Sequence, residues 1–171
     1  SPEALTEYVE NEIATATEQT NSLIKNDPAE MGADAFLMYD DIHHDFLNTE
    51  NVVYLLMSAS PNSAVRDAAS DAFLKMENWN VESGSRKDVY EFLNQAEQAS
   101  RLEDQGFEVK KYMADVLGAF KRNGMSLSDE DLAEVNQLRQ QLSEVSNNFS
   151  NAIRDAKVVV SFEPAELEGV N

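Results

Sequence analysis

Two adjacent histidines, His43 and His44, are the side chains of this sequence best suited to metal chemistry. Two histidines four residues apart on a helix share one face and can hold a single metal ion. Neighbouring residues point about 100° apart around a helix, so this pair cannot chelate one ion in that way. Asp40 and Asp41, each three residues before a histidine, resemble half of a di-iron carboxylate site, but the sequence has no second carboxylate–histidine helix. We therefore predict one histidine near the core and the other on a solvated face.

The other polar and aromatic clusters favour structural roles. Asp40-Asp41 and the run 129–131 lack the alternating oxygen ligands and the glycine of a calcium loop, so we expect a solvated face or a helix cap. Three further groups are predicted to pack or to form local ion pairs: Trp79 and Tyr90, Arg66 with Asp67, and Arg86 with Asp88. Nothing marks any serine as an activated nucleophile. We assign no catalytic, cofactor-binding or metal-binding residue.

The composition is that of one acidic globular domain spanning residues 1–171. Thirteen Lys plus Arg face 32 Asp plus Glu, and the formal charge of −19 disfavours nucleic acids and anionic membranes as partners. Absence of cysteine removes disulfides, thiolate metal sites and thiol nucleophiles. No apolar run approaches the roughly 20 residues that span a bilayer. The N-terminus shows no basic segment leading into an apolar one, so we expect a cytoplasmic protein.

Apolar periodicity predicts an all-α fold of about six helices in an antiparallel array, with a short extended segment at the C-terminal end. The first helix runs from Pro2 to about Lys25, and the second begins at about Ala33. The apolar run 52–57 suits a buried strand by composition, but the helical patterns on both sides favour a buried helix segment.

The stretch 60–94 is predicted to be two helices joined by a polar corner. Ser60-Pro61 is a helix start, and the inward positions of this helix are Val65, Ala68, Ala69, Ala72, Phe73 and Met76. The corner falls at 80–84, where Gly84 can take a positive φ. Ser85 and Asp88 resemble a capping box for the next helix, whose inward positions are Val89, Phe92, Leu93 and Ala96.

Two more helices follow. The fifth is marked by Phe107, Tyr112, Met113, Val116, Leu117 and Phe120, and it ends at Asn123-Gly124 with Leu127 as a packing contact. Ser128 and Asp131 form a second capping-box candidate. The sixth carries a coiled-coil-like seam of Leu132, Val135, Leu138, Leu142, Val145, Phe149 and Ile153. The run 158–162 is β-branched and reads as extended; because a lone strand leaves its edge open, we expect it to pair with something and the chain to be a fragment.

Two blocks of residues carry a resemblance to a known family. The first contains Pro61, Arg66-Asp67-Ala68, Ala72, Val81-Glu82-Ser83, Arg86-Lys87-Asp88-Val89-Tyr90 and Leu93. The second contains Arg122-Asn123-Gly124, Leu127, Leu138, Leu142-Ser143, Phe149 and Glu166-Leu167-Glu168-Gly169-Val170. In this order and spacing they resemble the N-terminal region of the thimet oligopeptidase / oligopeptidase A family of zinc metallopeptidases, over about residues 51–171.

The resemblance implies part of a lobe bordering a deep channel that admits short peptides and excludes folded proteins. The family's His-Glu-x-x-His zinc helix has no counterpart here, so no family site residue can be placed on this sequence. Zinc would belong to a C-terminal catalytic domain, where it polarises the scissile carbonyl and activates a water. This domain is absent from the chain and is its expected partner. Two alternatives stay open: a stand-alone helical interaction or sensory module, and an inactive peptidase descendant that kept only this region.

Overall fold

A computed structural model of the chain describes residues 1–125 and 127–156, together with 161, 163 and 169. It contains seven α-helices: α1 Pro2–Leu23, α2 Pro28–Met31, α3 Asp34–Ala59, α4 Ser63–Ser83, α5 Lys87–Ala99, α6 Phe107–Phe120 and α7 Asp129–Asp155. No strand occurs among these described residues, which confirms the all-α prediction. The additional helix is the single turn α2, which lies between the first and second predicted helices. The extended segment predicted at 158–162 lies outside the described residues, apart from position 161.

Side-chain caps define the N-terminal helices. The Ser1 hydroxyl accepts a hydrogen bond from the Ala4 amide at 3.3 Å, and Pro2 occupies the first helical position. Helix α1 ends before Pro28, as predicted, because a residue preceding proline is disfavoured in the α region. The Asp27 carboxylate then accepts from the Ala29 amide at 2.9 Å and starts α2.

Helix α4 lies at the centre of the packing, in contact with α1 and α3 on one side and with α7 on another. The core between α1, α3 and α4 is apolar and closely packed. Its buried members include Val9, Ala16, Phe36, Phe46, Val53, Ala69, Ala72, Met76 and Trp79. The inward residues predicted for α5, which are Val89, Phe92, Leu93 and Ala96, are all buried. Among the described residues, no helix is both long and apolar enough to cross a bilayer.

The apolar run 52–57 is helical, as predicted, but only half of it is buried. It forms the C-terminal part of α3. Because one face of this helix packs on the core and the other faces solvent, some residues of the run point outward. Val53 and Met57 face the core, whereas Val52, Tyr54 and Leu55 are exposed. The prediction of a buried segment is therefore correct for Val53 and Met57 and wrong for Val52, Tyr54 and Leu55.

The stretch 60–94, which contains α4, α5 and the corner between them, differs from its prediction at three points. Helix α4 starts at Ser63, because the Asn62 side chain accepts from the Ala64 amide at 3.0 Å and caps the helix two residues later than expected. Gly84 has a φ of −69°, so this corner uses no positive φ. Ser85 makes no capping box: its hydroxyl donates back to the Val81 carbonyl at 2.8 Å, and no side chain caps α5.

The corner between α6 and α7 follows its prediction closely. A π-helical turn, Lys121–Met125, ends α6, and within it Gly124 has the left-handed φ of +107°. A Cβ at Gly124 would lie 2.9 Å from a methyl of Leu127, which confirms the predicted packing contact. The Ser128 hydroxyl accepts from the Asp131 amide at 3.1 Å and donates to the Asp131 carboxylate at 2.7 Å, so the predicted cap is formed.

Candidate functional site

The two histidines have the separate environments that their adjacency predicts. His43 is half-buried, and its ring centroid lies 4.0 Å from that of Tyr39 and 5.7 Å from that of Trp79. Its Nδ1 lies 3.0 Å from the Tyr39 carbonyl and its Nε2 3.5 Å from the Ser83 hydroxyl. Burial lowers the pKa of His43, which favours the neutral ring. His44 is exposed on α3, so the two rings do not share a site.

The donor set does not fit a zinc site. Both ring nitrogens of His43 face protein partners, and His44 stands apart from it. Within the described ranges, no group of three or more His, Cys, Asp or Glu side chains is arranged to hold a metal ion. The acidic runs have other contacts: Asp129 pairs with Lys87, and Asp131 caps α7.

The aromatic and ion-pair predictions are confirmed in all but one case. Trp79 is buried, and its indole N–H donates to the Thr17 hydroxyl at 2.9 Å. The Tyr90 ring packs 6.0 Å from that of Phe120, and Arg86 Nη2 lies 2.6 Å from the Asp88 carboxylate. The pairing of Arg66 with Asp67 is wrong. Arg66 donates instead to the Ser60 carbonyl at 2.7 Å, whereas Asp67 lies 3.4 Å from Arg154 of α7, because the two helices cross there.

Many residues that carry the family resemblance lie where the two corners meet. The Asn123 amide donates to the Gly84 carbonyl at 3.0 Å, and a Cβ at Gly84 would lie 2.8 Å from that amide nitrogen. Glycine at position 84 is therefore favoured by the close approach of the Asn123 side chain and of the Asn80 carbonyl, 3.1 Å from such a Cβ, rather than by its backbone angle. Lys87 donates to the Leu127 carbonyl at 3.2 Å. These residues join the α4–α5 corner to the α6–α7 corner, which is a structural role.

Helix α7 packs against the rest of the chain through its polar side. The Asn147 amide donates to the Ser70 hydroxyl at 3.1 Å, and the Asn151 amide donates to the same hydroxyl at 2.7 Å. Nearer the N-terminus of the helix, the Asn136 amide donates to the Ser85 hydroxyl at 2.8 Å. Five seam residues predicted to form a contact surface are more than half exposed: Leu138, Leu142, Val145, Phe149 and Ile153. Leu132, at the N-terminal end of the seam, is buried. The predicted seam exists, but most of it faces away from the described part of the chain.

A groove runs between α3 and α7, with α4 as its floor. It consists of two adjoining hollows of about 280 and 290 Å³ that share Tyr54, Met57 and Ser150. Phe73 of α4 contributes apolar surface to one hollow. The opposite wall, from α7, carries hydroxyl and amide groups together with two seam residues, Leu142 in one hollow and Ile153 in the other. An apolar floor beside a hydroxyl- and amide-bearing wall suits an extended apolar segment.

A carboxyl pair, the buried Glu50 and the partly exposed Glu77, lies beside this groove and was missed by sequence reasoning. Glu50 of α3 is 8% exposed, accepts a hydrogen bond from the Asn80 amide at 3.0 Å and contacts Glu77, which lines the groove. Burial first, and then the neighbouring Glu77 carboxyl, raise the pKa of Glu50 to about 7. A signal was present in the sequence, since Glu50 lies in helical phase with the apolar Phe46, Val53 and Met57.

Comparison with known proteins finds oligopeptidases. No protein-family model matches the chain. It is 26% identical over 141 residues to the thimet-like oligopeptidase of Dictyostelium discoideum, a match covering 81% of this chain and 21% of that protein. It is 23% identical over 122 residues to saccharolysin of Saccharomyces cerevisiae, covering 70% of this chain and 17% of that protein. The chain thus spans about a fifth of the length of these relatives, which supports a partial relationship to the oligopeptidases.

Proposed function

We propose that this chain is the N-terminal helical region of a zinc-dependent oligopeptidase that hydrolyses short peptides. The observation that carries the proposal is the pair of matches to oligopeptidases, which cover 81% and 70% of this chain but 21% and 17% of the relatives. The residues of the resemblance support it further, because Asn123, Lys87 and Leu127 among them make the hydrogen bonds that join the two corners.

In this proposal the chain restricts access to the catalytic centre and performs no chemistry itself. Its helices form part of a channel wall that admits unstructured peptides and excludes folded proteins by size. His43 is half-buried with both ring nitrogens facing protein groups, and no metal-ligating cluster occurs in the described part of the chain, so the side chains there do not fit zinc. Zinc and the hydrolytic groups belong, in this proposal, to the catalytic domain that accompanies the chain in the whole protein.

The test is an intact mass of the protein expressed from its complete gene, with zinc counted and peptide hydrolysis assayed in the same sample. We expect a polypeptide several times longer than 171 residues, one zinc per chain, and cleavage of short peptides but not of folded proteins. The 171-residue chain alone should retain no stoichiometric zinc and cleave no peptide. A gene product of about this length without metal would overturn the proposal and favour a stand-alone binding module. Hydrolysis by the isolated chain that survives repurification and chelation controls would overturn the division of roles.

A further inference from the structure

The outer face of α7 is an apolar surface without a partner in the described part of the chain. We call it the outer seam and define it by five residues: Leu138, Leu142, Val145, Phe149 and Ile153. Their side chains are 57–66% exposed. They advance by three and four residues along one helix and so form one continuous stripe. Scattered apolar residues are normal on a surface, but a contiguous stripe of this size marks an interaction site.

The surroundings of the outer seam carry very little charge. Between Leu138 and Ile153 the charged residues are Arg139 and Glu144, two in 16 positions, although 26% of the whole chain is charged and its formal charge is −19. Interfaces have cores that are depleted of charged residues, whereas a solvated helix face normally carries them. The partner of the outer seam should therefore also be apolar and uncharged where it makes contact.

The charge of the chain argues against a second copy as that partner. Pairing two outer seams would bring together two acidic domains of formal charge −19 each, and such a net charge disfavours self-association. A covalently connected partner avoids the entropic cost of bringing two molecules together, because its effective concentration is high. The groove between α3 and α7 adds the neighbouring Tyr54 to this apolar surface.

We propose that the outer seam is the docking surface for the polypeptide that follows this chain in the whole protein. This inference rests on the proposed function, in which further polypeptide accompanies the chain. The relatives are long enough to contain such a polypeptide, since the matched region is only 17–21% of their sequences. The polar side of α7 fixes the helix to α4, and the outer seam is left to bind an apolar surface of the catalytic domain.

Cysteine accessibility tests the proposal directly, because the chain contains no cysteine of its own. Phe149→Cys is placed in the seam, and Gln95→Cys, on the exposed side of α5, is the matched control. Each variant is made in the 171-residue chain and in the protein expressed from its complete gene. Iodoacetamide labelling at each position is followed by peptide mass spectrometry, so cysteines elsewhere in the longer protein do not interfere.

We expect position 149 to be labelled at least tenfold more slowly in the complete protein than in the 171-residue chain, and position 95 at similar rates in both. Equal rates at position 149 would overturn the assignment. Protection at position 149 in the 171-residue chain that grows with its concentration would identify a second copy as the partner and would also overturn it.

A charge variant covers the case in which Phe149→Cys perturbs the interface. Leu142→Asp combined with Phe149→Asp should leave the thermal midpoint of the 171-residue chain unchanged and lower that of the complete protein; no difference there would overturn the proposal. The two proposals fail separately. A longer peptidase whose seam stays reactive overturns only the docking surface, whereas a longer protein with a protected seam and no peptidase activity overturns only the function.

Discussion

Helix α4 is contacted on two sides by helices that use opposite chemistry. Towards α1 and α3 it presents apolar side chains such as Met76 and Trp79, which are buried in the core. Towards α7 it presents Ser70, whose hydroxyl is shared by two asparagines. The first interface gains stability from removing apolar surface from water. The second gains little net free energy, because each hydrogen bond replaces one to water. The comparison indicates that the α1–α3–α4 core provides most of the stability, whereas α7 keeps an exposed apolar face.

The largest expected effect on stability comes from a substitution in the apolar α1–α3–α4 core. Phe46 is 2% exposed, and its ring stacks on that of Trp79 with centroids 4.1 Å apart. Phe46→Ala removes this contact and leaves a cavity, so we expect the free energy of unfolding to fall by about 3–5 kcal/mol. Urea unfolding followed by circular dichroism measures it. A loss below about 1 kcal/mol would show that the α1–α3–α4 core is not the main source of stability.

The buried Glu50 makes the stability of the same core depend on pH. Its pKa is raised from 4.5 to about 7 in the folded chain, so the folded state binds this proton more tightly than the unfolded state does. The resulting stabilisation is fully present below pH 4.5 and is lost as pH rises through 7. For a rise of about 2.5 units this amounts to at most ~3 kcal/mol.

Glu50→Gln isolates this contribution from those of other groups. Gln keeps an acceptor for the Asn80 amide but cannot ionise, so the variant should become progressively more stable than the natural protein from pH 5 to pH 8. His43 acts in the opposite direction, because its lowered pKa weakens the folded state as pH falls. The difference between the two unfolding profiles is therefore the quantity to measure. Parallel profiles would show that Glu50 is ionised throughout this range.

A smaller effect is expected at the polar side of α4. Asn147 is 9% exposed and exchanges hydrogen bonds with Ser70. Asn147→Ala removes them but leaves Asn151 bonded to the Ser70 hydroxyl, so we expect a loss of about 1–2 kcal/mol. A double-mutant cycle with Ser70→Ala measures the coupling. A coupling of zero would mean that these hydrogen bonds do not orient α7.

The contrast between the two sides also explains what the sequence could predict. A feature could be predicted where the residues that determine it are close in sequence, as in the Ser128 cap and the left-handed Gly124. Prediction failed at Gly84, because the need for glycine there arises from Asn123, which is 39 positions away. The same limit applied to the carboxyl pair, since Glu77 belongs to a different helix from Glu50.

The seam of α7 shows this limit most clearly. Apolar spacing predicts that a helix has a stripe, but it does not identify what the stripe contacts. The sequence predicts a coiled-coil-like seam on α7, and the structure packs the other, polar face with Asn147 against α4. The residues of the seam were therefore predictable from the sequence, but the direction in which they face was not.

The smallest expected effect completes the comparison. Phe149 is 66% exposed, so Phe149→Ala deletes a ring that makes little contact in this chain. We expect the free energy of unfolding to change by less than about 0.5 kcal/mol, against the several kcal/mol expected for Phe46→Ala, although both changes delete the same side chain. Urea unfolding of the two variants under identical conditions gives the ratio directly. If Phe149→Ala cost as much as Phe46→Ala, the outer seam would already be packed against this chain or a second copy, and the polar docking of α7 would be wrong.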